Sequence, residues 1–287
     1  AGAVPAWLGP LFAAPVEQEA LLGRAPVDLR VTRLKATLGD AALLLPDAIA
    51  IAGVPDALRL PEGSPVEQSD AWKQGLVEVQ DAGSQLIALA CGVQPGMTVV
   101  DLCAGAGGKT LALAAAMGGK GALIAADAIR SRLARLGPRA ERAGATFIET
   151  LLLDQGHEAG ALKSLAGQVD VVLVDAPCSG TGTWRRNPEA RWRLTPARLD
   201  RLVAEQARIL DFAAPLLAPG GVLVYATCAL TEQEGRDQVD GFLTRHSGWV
   251  AEPLALPLGR AHGPGLLLTP GSDGTDGFFF ARLRRMS

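Results

Sequence analysis

What the chain lacks narrows it first. Its four cysteines, Cys91, Cys103, Cys178 and Cys228, include no Cys-x-x-Cys pair, and its three histidines, His157, His246 and His262, are scattered. Structural and catalytic zinc draw on clustered ligands of these types, so no metal is expected. Four cysteines in 287 residues are too few for a disulfide scaffold, which points to a reducing, cytoplasmic setting. No run of about 18 uncharged apolar residues occurs, so nothing is expected to span a membrane. No secretory signal is legible, and the chain opens at Ala1 rather than at methionine, as a processed form or an excised piece does. The net charge is only −3. Bulk charge therefore does not advertise a nucleic-acid partner, and any such partner must be served by a local patch. Internal repeats and low-complexity tracts are also missing. A monomer is the expectation.

What is present is enough apolar sequence for a substantial core, 48% hydrophobic against 20% charged. Residues 1–70 read as a small α+β unit. In it Val27-Asp28-Leu29-Arg30-Val31 alternates with the period of a half-buried strand, and Pro61 to Pro65 is a turn cluster near the boundary. Residues 71–287 read as a larger domain in which strands and helices alternate. Strands are predicted at Thr98–Leu102, Ala122–Ala126, Thr146–Leu152, Val169–Val174 and Val222–Ala226. Helices are predicted at Thr110–Met117, Arg130–Ala143 and Pro196–Leu217, and a closing strand near Phe278–Leu283. This alternation argues an α/β fold, a mostly parallel Rossmann-like sheet with helices on both faces.

Two strands of this series end in the same way. Val171 to Val174 is a fully apolar run, as in a strand buried on both faces, and it breaks into Asp175-Ala176-Pro177-Cys178-Ser179-Gly180. Proline ends the ladder there, leaving a carboxylate and a thiol at the carboxyl rim, where open α/β sheets bind ligands. Val222 to Thr227 runs straight into Cys228. If the two strands are neighbours, their ends lie about 5 Å apart, and both thiols face one pocket. A lone buried cysteine is ordinarily core; two at matching rim positions suggest chemistry.

Between the first predicted strand and its helix lies Cys103-Ala104-Gly105-Ala106-Gly107-Gly108-Lys109-Thr110. A phosphate-binding P-loop is excluded, because its first glycine would fall on Cys103. A dinucleotide fingerprint is weakened, because its last glycine falls on Thr110. S-adenosylmethionine remains: it needs a glycine turn for close backbone approach and a carboxylate at the next strand end for the ribose hydroxyls. Asp127 stands at that end, and Asp154 just past the third strand, where it can meet the adenine edge. The alternative is a turn that serves helix–strand packing alone. Two thiols beside a methyl donor suit attack on a pyrimidine. A thiolate adding to carbon 6 makes carbon 5 nucleophilic, a second thiol can serve as base in the release step, and Asp175 can hold the N3/N4 edge.

These motifs resemble the Sun (Fmu) family of S-adenosylmethionine-dependent RNA cytosine-C5 methyltransferases. The resemblance rests on Asp175 to Gly182, Thr227-Cys228, Ala104 to Thr110, Val79 to Gln85 and Asp276 to Phe279, in that family's order. It covers roughly Gly75 to Arg285, and 1–70 is similar, less closely, to the small RNA-recognition-like module preceding the catalytic domain. The resemblance implies Cys228 as nucleophile and Cys178 as the thiol assisting release. Asp127, Asp154 and Asp175 would line the cofactor and base sites. The loop Cys103, Ala104, Gly105, Ala106, Gly107, Gly108 and Lys109 would lie beneath the methionine part, with Arg132 and Pro177 completing the cofactor set. It also implies an antiparallel last strand and ribosomal RNA as substrate, transfer RNA being the alternative. Ala106 stands where the family usually has proline, and Glu234-Gly235 where it has Glu-Asn. A non-catalytic RNA-binding or assembly factor on the same fold is the competing class, and a dinucleotide oxidoreductase a third.

The patch an RNA requires begins directly after the Pro-Cys motif, with seven arginines against three carboxylates between Trp184 and Arg208. Arg185, Arg186, Arg191 and Arg193 are the expected phosphate contacts, with Trp184 and Trp192 interleaved to stack on bases. Arg198 to Arg208 reads equally as a solvated helix face.

Overall fold

The computed structural model describes residues 4–13 and 18–287. Two sheets divide the chain. The smaller has strands β1 (Val27–Val31), β2 (Ile49–Ala50), β3 (Ala57–Leu60) and β4 (Val77–Val79), all antiparallel in the order β2-β3-β1-β4. Leu29, Val31, Leu58, Leu60 and Val77 face a small core. The alternate positions of β1, Asp28 and Arg30, are also buried, so one face of this sheet is polar and packs against the rest of the molecule. β4 lies past residue 70, so the small sheet draws on more of the chain than the expected unit.

The beginning of that unit packs elsewhere. Leu8, Phe12 and Leu21 belong to the core of the large domain, Ala13 N–H donates to the Leu230 carbonyl at 2.8 Å, and Phe12 meets Trp184 edge-on. Apolar side chains on an otherwise turn-like segment found cover on the larger core rather than on the small sheet. Residues 1–3 and 14–17 of the segment lie outside the described residues.

The large sheet has nine strands. After helix α1 (Ala82–Ala90), capped by the Asp81 carboxylate on Gly83 N–H at 2.8 Å, come β5 (Thr98–Asp101), α2 (Gly108–Ala116), β6 (Ala122–Asp127), α3 (Leu136–Ala143), β7 (Ile148–Leu152), β8 (Val169–Asp175), α4 (Pro196–Ala213) and β9 (Leu217–Thr227). There follow α5 (Arg236–Arg245), β10 (Trp249–Glu252), β11 (Arg260–His262), β12 (Gly265–Leu268) and β13 (Phe278–Arg285). The parallel part reads β9-β8-β5-β6-β7, and β13 closes on β9 antiparallel, followed by β12 and β11. The expected sheet and its antiparallel last strand are present. The predicted helix Arg130–Ala143 is interrupted at Ala134-Arg135, because Pro138 has no N–H to give the Ala134 carbonyl. The final strand of the parallel set starts at Leu217 rather than Val222, with a register shift opposite Val169–Val171 that absorbs Pro219-Gly220-Gly221.

The strand order sets the position of the site. From β5 the chain moves outward to β6 and β7, then returns to place β8 on the other side of β5. Helices diverge at this switch point, and a crevice opens beyond the carboxyl ends of β5 and β8. Buried Val99, Val100, Val171, Val172, Leu173, Val222, Leu223 and Val224 hold these strands, so the rim loops stand on rigid backbone.

Candidate active site

Three loops leave three adjacent strands. The glycine loop follows β5, the Pro-Cys loop β8 and the Thr-Cys loop β9, with Asp101 in register with Leu173 and Asp175 with Ala226. Together they line a cavity of about 590 Å³, to which Cys103, Lys109, Asp127, Arg132, Asp175, Pro177, Cys178 and Cys228 all contribute.

The glycine loop is shaped by two left-handed residues, Gly105 (φ 57) and Gly107 (φ 85). They serve different ends. A Cβ on Gly105 would meet nothing within 4 Å, whereas one on Gly107 would lie 2.1 Å from Leu136 Cδ1. Gly105 therefore keeps the backbone open toward the cavity. Gly107 caps α2 and packs on α3; it does not line the cavity, although Ala104, Gly105, Ala106 and Gly108 do. Asp127 folds over the loop, accepting Gly105 N–H at 2.8 Å on one oxygen and Ile129 N–H at 2.6 Å on the other. Each oxygen keeps a lone pair for a ligand hydroxyl. Asp154 is exposed and outside the cavity lining. Leu153 and Glu158 line the cavity, and the Glu158 carboxylate accepts from Arg208 at 2.7 Å.

Lys109 reaches across the switch point to Asp175, Nζ to Oδ2 2.7 Å. Burial by itself would lower the lysine, but the Asp175 carboxylate outweighs it and the pKa lies above the ordinary lysine value. The charge on Cys228 adds to this effect, which places the ammonium within electrostatic reach of that thiol. Below the pair, burial pushes the Asp101 carboxyl up to about 7, against the hydrogen bond it accepts from Thr110 Oγ1 at 2.7 Å.

Cys178 and Cys228 meet with their sulfurs 3.3 Å apart. The hydrogen bond to Cys228 pushes the Cys178 thiol well up, and burial and the nearby Glu234 carboxylate act in the same direction. Cys178 is thus held as a thiol beside a carboxylate, and Cys228 and Lys109 line the same cavity.

Glu234, fully buried, ties the two cysteine loops together. Its carboxylate accepts Ser179 N–H at 2.7 Å, Ser179 Oγ–H at 2.5 Å, Thr231 Oγ1–H at 2.7 Å and Gln206 Nε2–H at 3.2 Å. Gln206 also donates to the Pro177 carbonyl. A second tie passes through Gly182, whose N–H donates to the Cys228 carbonyl at 3.0 Å and whose carbonyl accepts Gly277 N–H at 2.8 Å. The chains cross so closely that a Cβ on Gly182 would lie 2.1 Å from the Gly277 oxygen. Neither tie was visible in the sequence. Glu234 carries one signal, its place in the segment after Thr-Cys, but of its partners only Thr231 is local, and Gln206 and Ser179 lie 28 and 55 residues away.

The expected RNA contacts divide. Trp184 is fully buried in the core, and Arg185 is held in a cluster with Asp276 (2.6 Å) and Asp81 (3.3 Å), its side chain 6% exposed. The expectation that these two contact RNA is corrected: the chain turns inward directly after Thr183. Arg186 joins the cluster, at 2.5 Å from Asp276 and 3.1 Å from Asp81, with its side chain 32% exposed. Arg191 is buried and donates to the Pro188 carbonyl at 2.6 Å. Arg193 and Trp192 are exposed. The arginine face of α4 is not simply solvated, since Arg198 and Arg208 line the cavity.

Fold and site together define a Rossmann-like methyltransferase with a two-thiol centre. The chain belongs to the family described as 16S rRNA methyltransferase RsmB/F, whose model matches residues 88–284. It is similar to a probable ribosomal RNA small subunit methyltransferase B of Synechocystis sp., 36% identical over 98% of this chain and 66% of the relative. The chain thus spans just under two thirds of the length of that curated relative. Among solved structures it resembles PH0851, at TM-score 0.91 and 30% identity, over 98% of this chain and 66% of that one. It also shares the fold of NSun6 from Pyrococcus horikoshii, solved with SFG, at TM-score 0.84 and 19% identity over 94% and 93% of the two chains. Among the described residues no helix is long and apolar enough to cross a membrane.

Proposed function

We propose that this chain carries the catalytic part of an S-adenosylmethionine-dependent methyltransferase that acts on carbon 5 of a cytosine in small-subunit ribosomal RNA, in the cytoplasm and as a monomer. The observation that carries the reading is the Cys178–Cys228 contact at 3.3 Å, inside the cavity that the glycine loop lines. A binding or assembly factor has no use for two thiols there. The residues fit the cofactor: open backbone at Gly105, a carboxylate at Asp127 with lone pairs to spare, and about 590 Å³ of space. When bound, S-adenosylmethionine supplies an electrophilic methyl group. Gly105 and Asp127 would hold it, and Arg132 stands at the mouth.

The chain's own residues supply the rest. Cys228 as thiolate adds to carbon 6 and moves electron density to carbon 5. Asp175 orients the ring edge and is itself fixed by Lys109. Once carbon 5 is methylated, its proton passes to a base, the electron pair re-forms the 5,6 double bond and the Cys228 thiolate leaves. We assign the mediation of that proton transfer to Cys178, a reading its 3.3 Å contact with Cys228 supports.

The test is adduct trapping with ribosomal RNA and S-adenosylmethionine. Cys178→Ala is expected to accumulate a denaturation-resistant protein–RNA band and Cys228→Ala none. The reverse pattern would exchange the roles of the thiols. No band and no tritiated methyl transfer to small-subunit RNA would overturn the reading.

A further inference from the structure

The glycine loop is tied, through α3, to the small sheet. Ala106, between the two left-handed glycines, has its carbonyl bonded by Arg139 Nη1 of α3 at 2.6 Å. The same guanidinium turns its other edge to Glu78 of β4, Nη2 to Oε2 2.9 Å and Nε to Oε2 3.2 Å. The second oxygen of Glu78 is taken by Arg142. Arg142 in turn donates to the Trp72 carbonyl at 3.2 Å and stacks 3.5 Å over the Trp72 ring. The Glu78 side chain is 1% exposed. A continuous charged path thus runs from the small sheet, through α3, to the backbone of the loop that lines the cavity.

The physical consequence follows from what else holds that loop. Gly105 N–H is fixed by Asp127 and Gly107 N–H by the Ala104 carbonyl at 2.9 Å. With glycines on both sides, the Ala106 peptide has wide conformational freedom. A buried carboxylate that fixes a forked guanidinium, which in turn fixes one carbonyl, removes part of that freedom before a ligand arrives.

We propose that Arg139 is a positioning residue for the glycine loop and that Glu78 holds it in place, so that affinity for S-adenosylmethionine depends on the docked small sheet. This rests on the cofactor reading above. It assigns the small sheet a part in cofactor binding besides any contact it makes with RNA.

The experiment is calorimetric titration of S-adenosylmethionine into the full chain, its Arg139→Gln, Arg139→Lys and Glu78→Gln variants, and Arg135→Gln, an exposed arginine beside α3, as control. Amide exchange over residues 104–109 is measured in the same proteins without cofactor. Losing a hydrogen bond from a charged donor predicts a Kd raised about tenfold in Arg139→Gln, less in Glu78→Gln, and unchanged in the control. Arg139→Lys, which keeps charge but cannot fork, is expected between wild type and Arg139→Gln, and guards against a folding defect. Loop exchange should quicken in the same order, and kcat at saturating cofactor should stay within about twofold. If the wild type binds and Arg139→Gln binds equally, with unchanged loop exchange, the tether is overturned while the proposed activity stands. If the wild type does not bind, the proposed activity fails, and loop exchange alone decides whether Arg139 orders the loop.

Discussion

Ser179 gives both its backbone N–H and its hydroxyl to Glu234, at 2.7 and 2.5 Å. The residue after one cysteine is thereby fastened to the segment that follows the other. The two thiols are neighbours because their strands are, but they face each other because this carboxylate holds both loops. Replacing Glu234 with alanine removes the acceptor of two buried donors, on Thr231 and Gln206, and of two half-buried ones, on Ser179. Each unsatisfied group costs about 1–3 kcal/mol, so Glu234→Ala is expected to lose roughly 3 kcal/mol or more in urea unfolding and most of its methyl transfer. Glu234→Gln, which keeps the shape and part of the acceptor capacity, should lose less of both. A Glu234→Ala protein as stable as wild type would show that the loops hold each other without it.

Asp101 predicts a dependence on pH. Its carboxyl is pushed up to about 7 by burial, whereas in the unfolded chain an aspartate ionises near about 3.9. Between those values the native state keeps a proton that the unfolded state has lost, so this group's contribution to stability falls as pH rises through the window and levels off above it. Asp101→Asn has no proton to lose. Its melting temperature relative to wild type should climb from pH 4 to pH 7, by on the order of a few kcal/mol in stability. Parallel melting curves across that range would contradict the assignment.

Arg185 and Arg193 separate structure from binding. Removing one partner from a buried ion pair costs about 3–5 kcal/mol, so Arg185→Met is expected to lower stability by that order and to leave the salt dependence of RNA binding by the folded protein unchanged. Arg193 is exposed. Arg193→Ala should leave the melting temperature alone and reduce the slope of log affinity against log salt by about 0.7–0.9, one phosphate contact. Equal RNA salt slopes for wild type and Arg193→Ala would remove Arg193 from the interface.

Much of this architecture is local and therefore legible along the chain. Apolar β-branched runs such as Val171 to Val174 can only be buried strands. Pro177 ends such a run wherever it falls, and Gly105 and Gly107 mark a turn that other residues cannot make. These signals sufficed for the alternating α/β order, the loop, the carboxylate at Asp127 and two thiols at matching strand ends. Charged residues were less legible, because an arginine on a loop reads the same whether it meets solvent, RNA or a buried carboxylate. Arg185 was expected outside and lies inside. Asp154 was expected at the cavity and is exposed, outside its lining. The bonds from Ser179 and Gln206 to Glu234, the crossing of Gly182 and Gly277, and the path from Glu78 through Arg139 to Ala106 join residues 28 to 95 positions apart. Sequence by itself determined which elements form and which chemistry stands at their ends, because propensity and burial act over a few residues. Only the tertiary structure decided which side chains hold that chemistry in register, because strand order, not chain order, selects their neighbours.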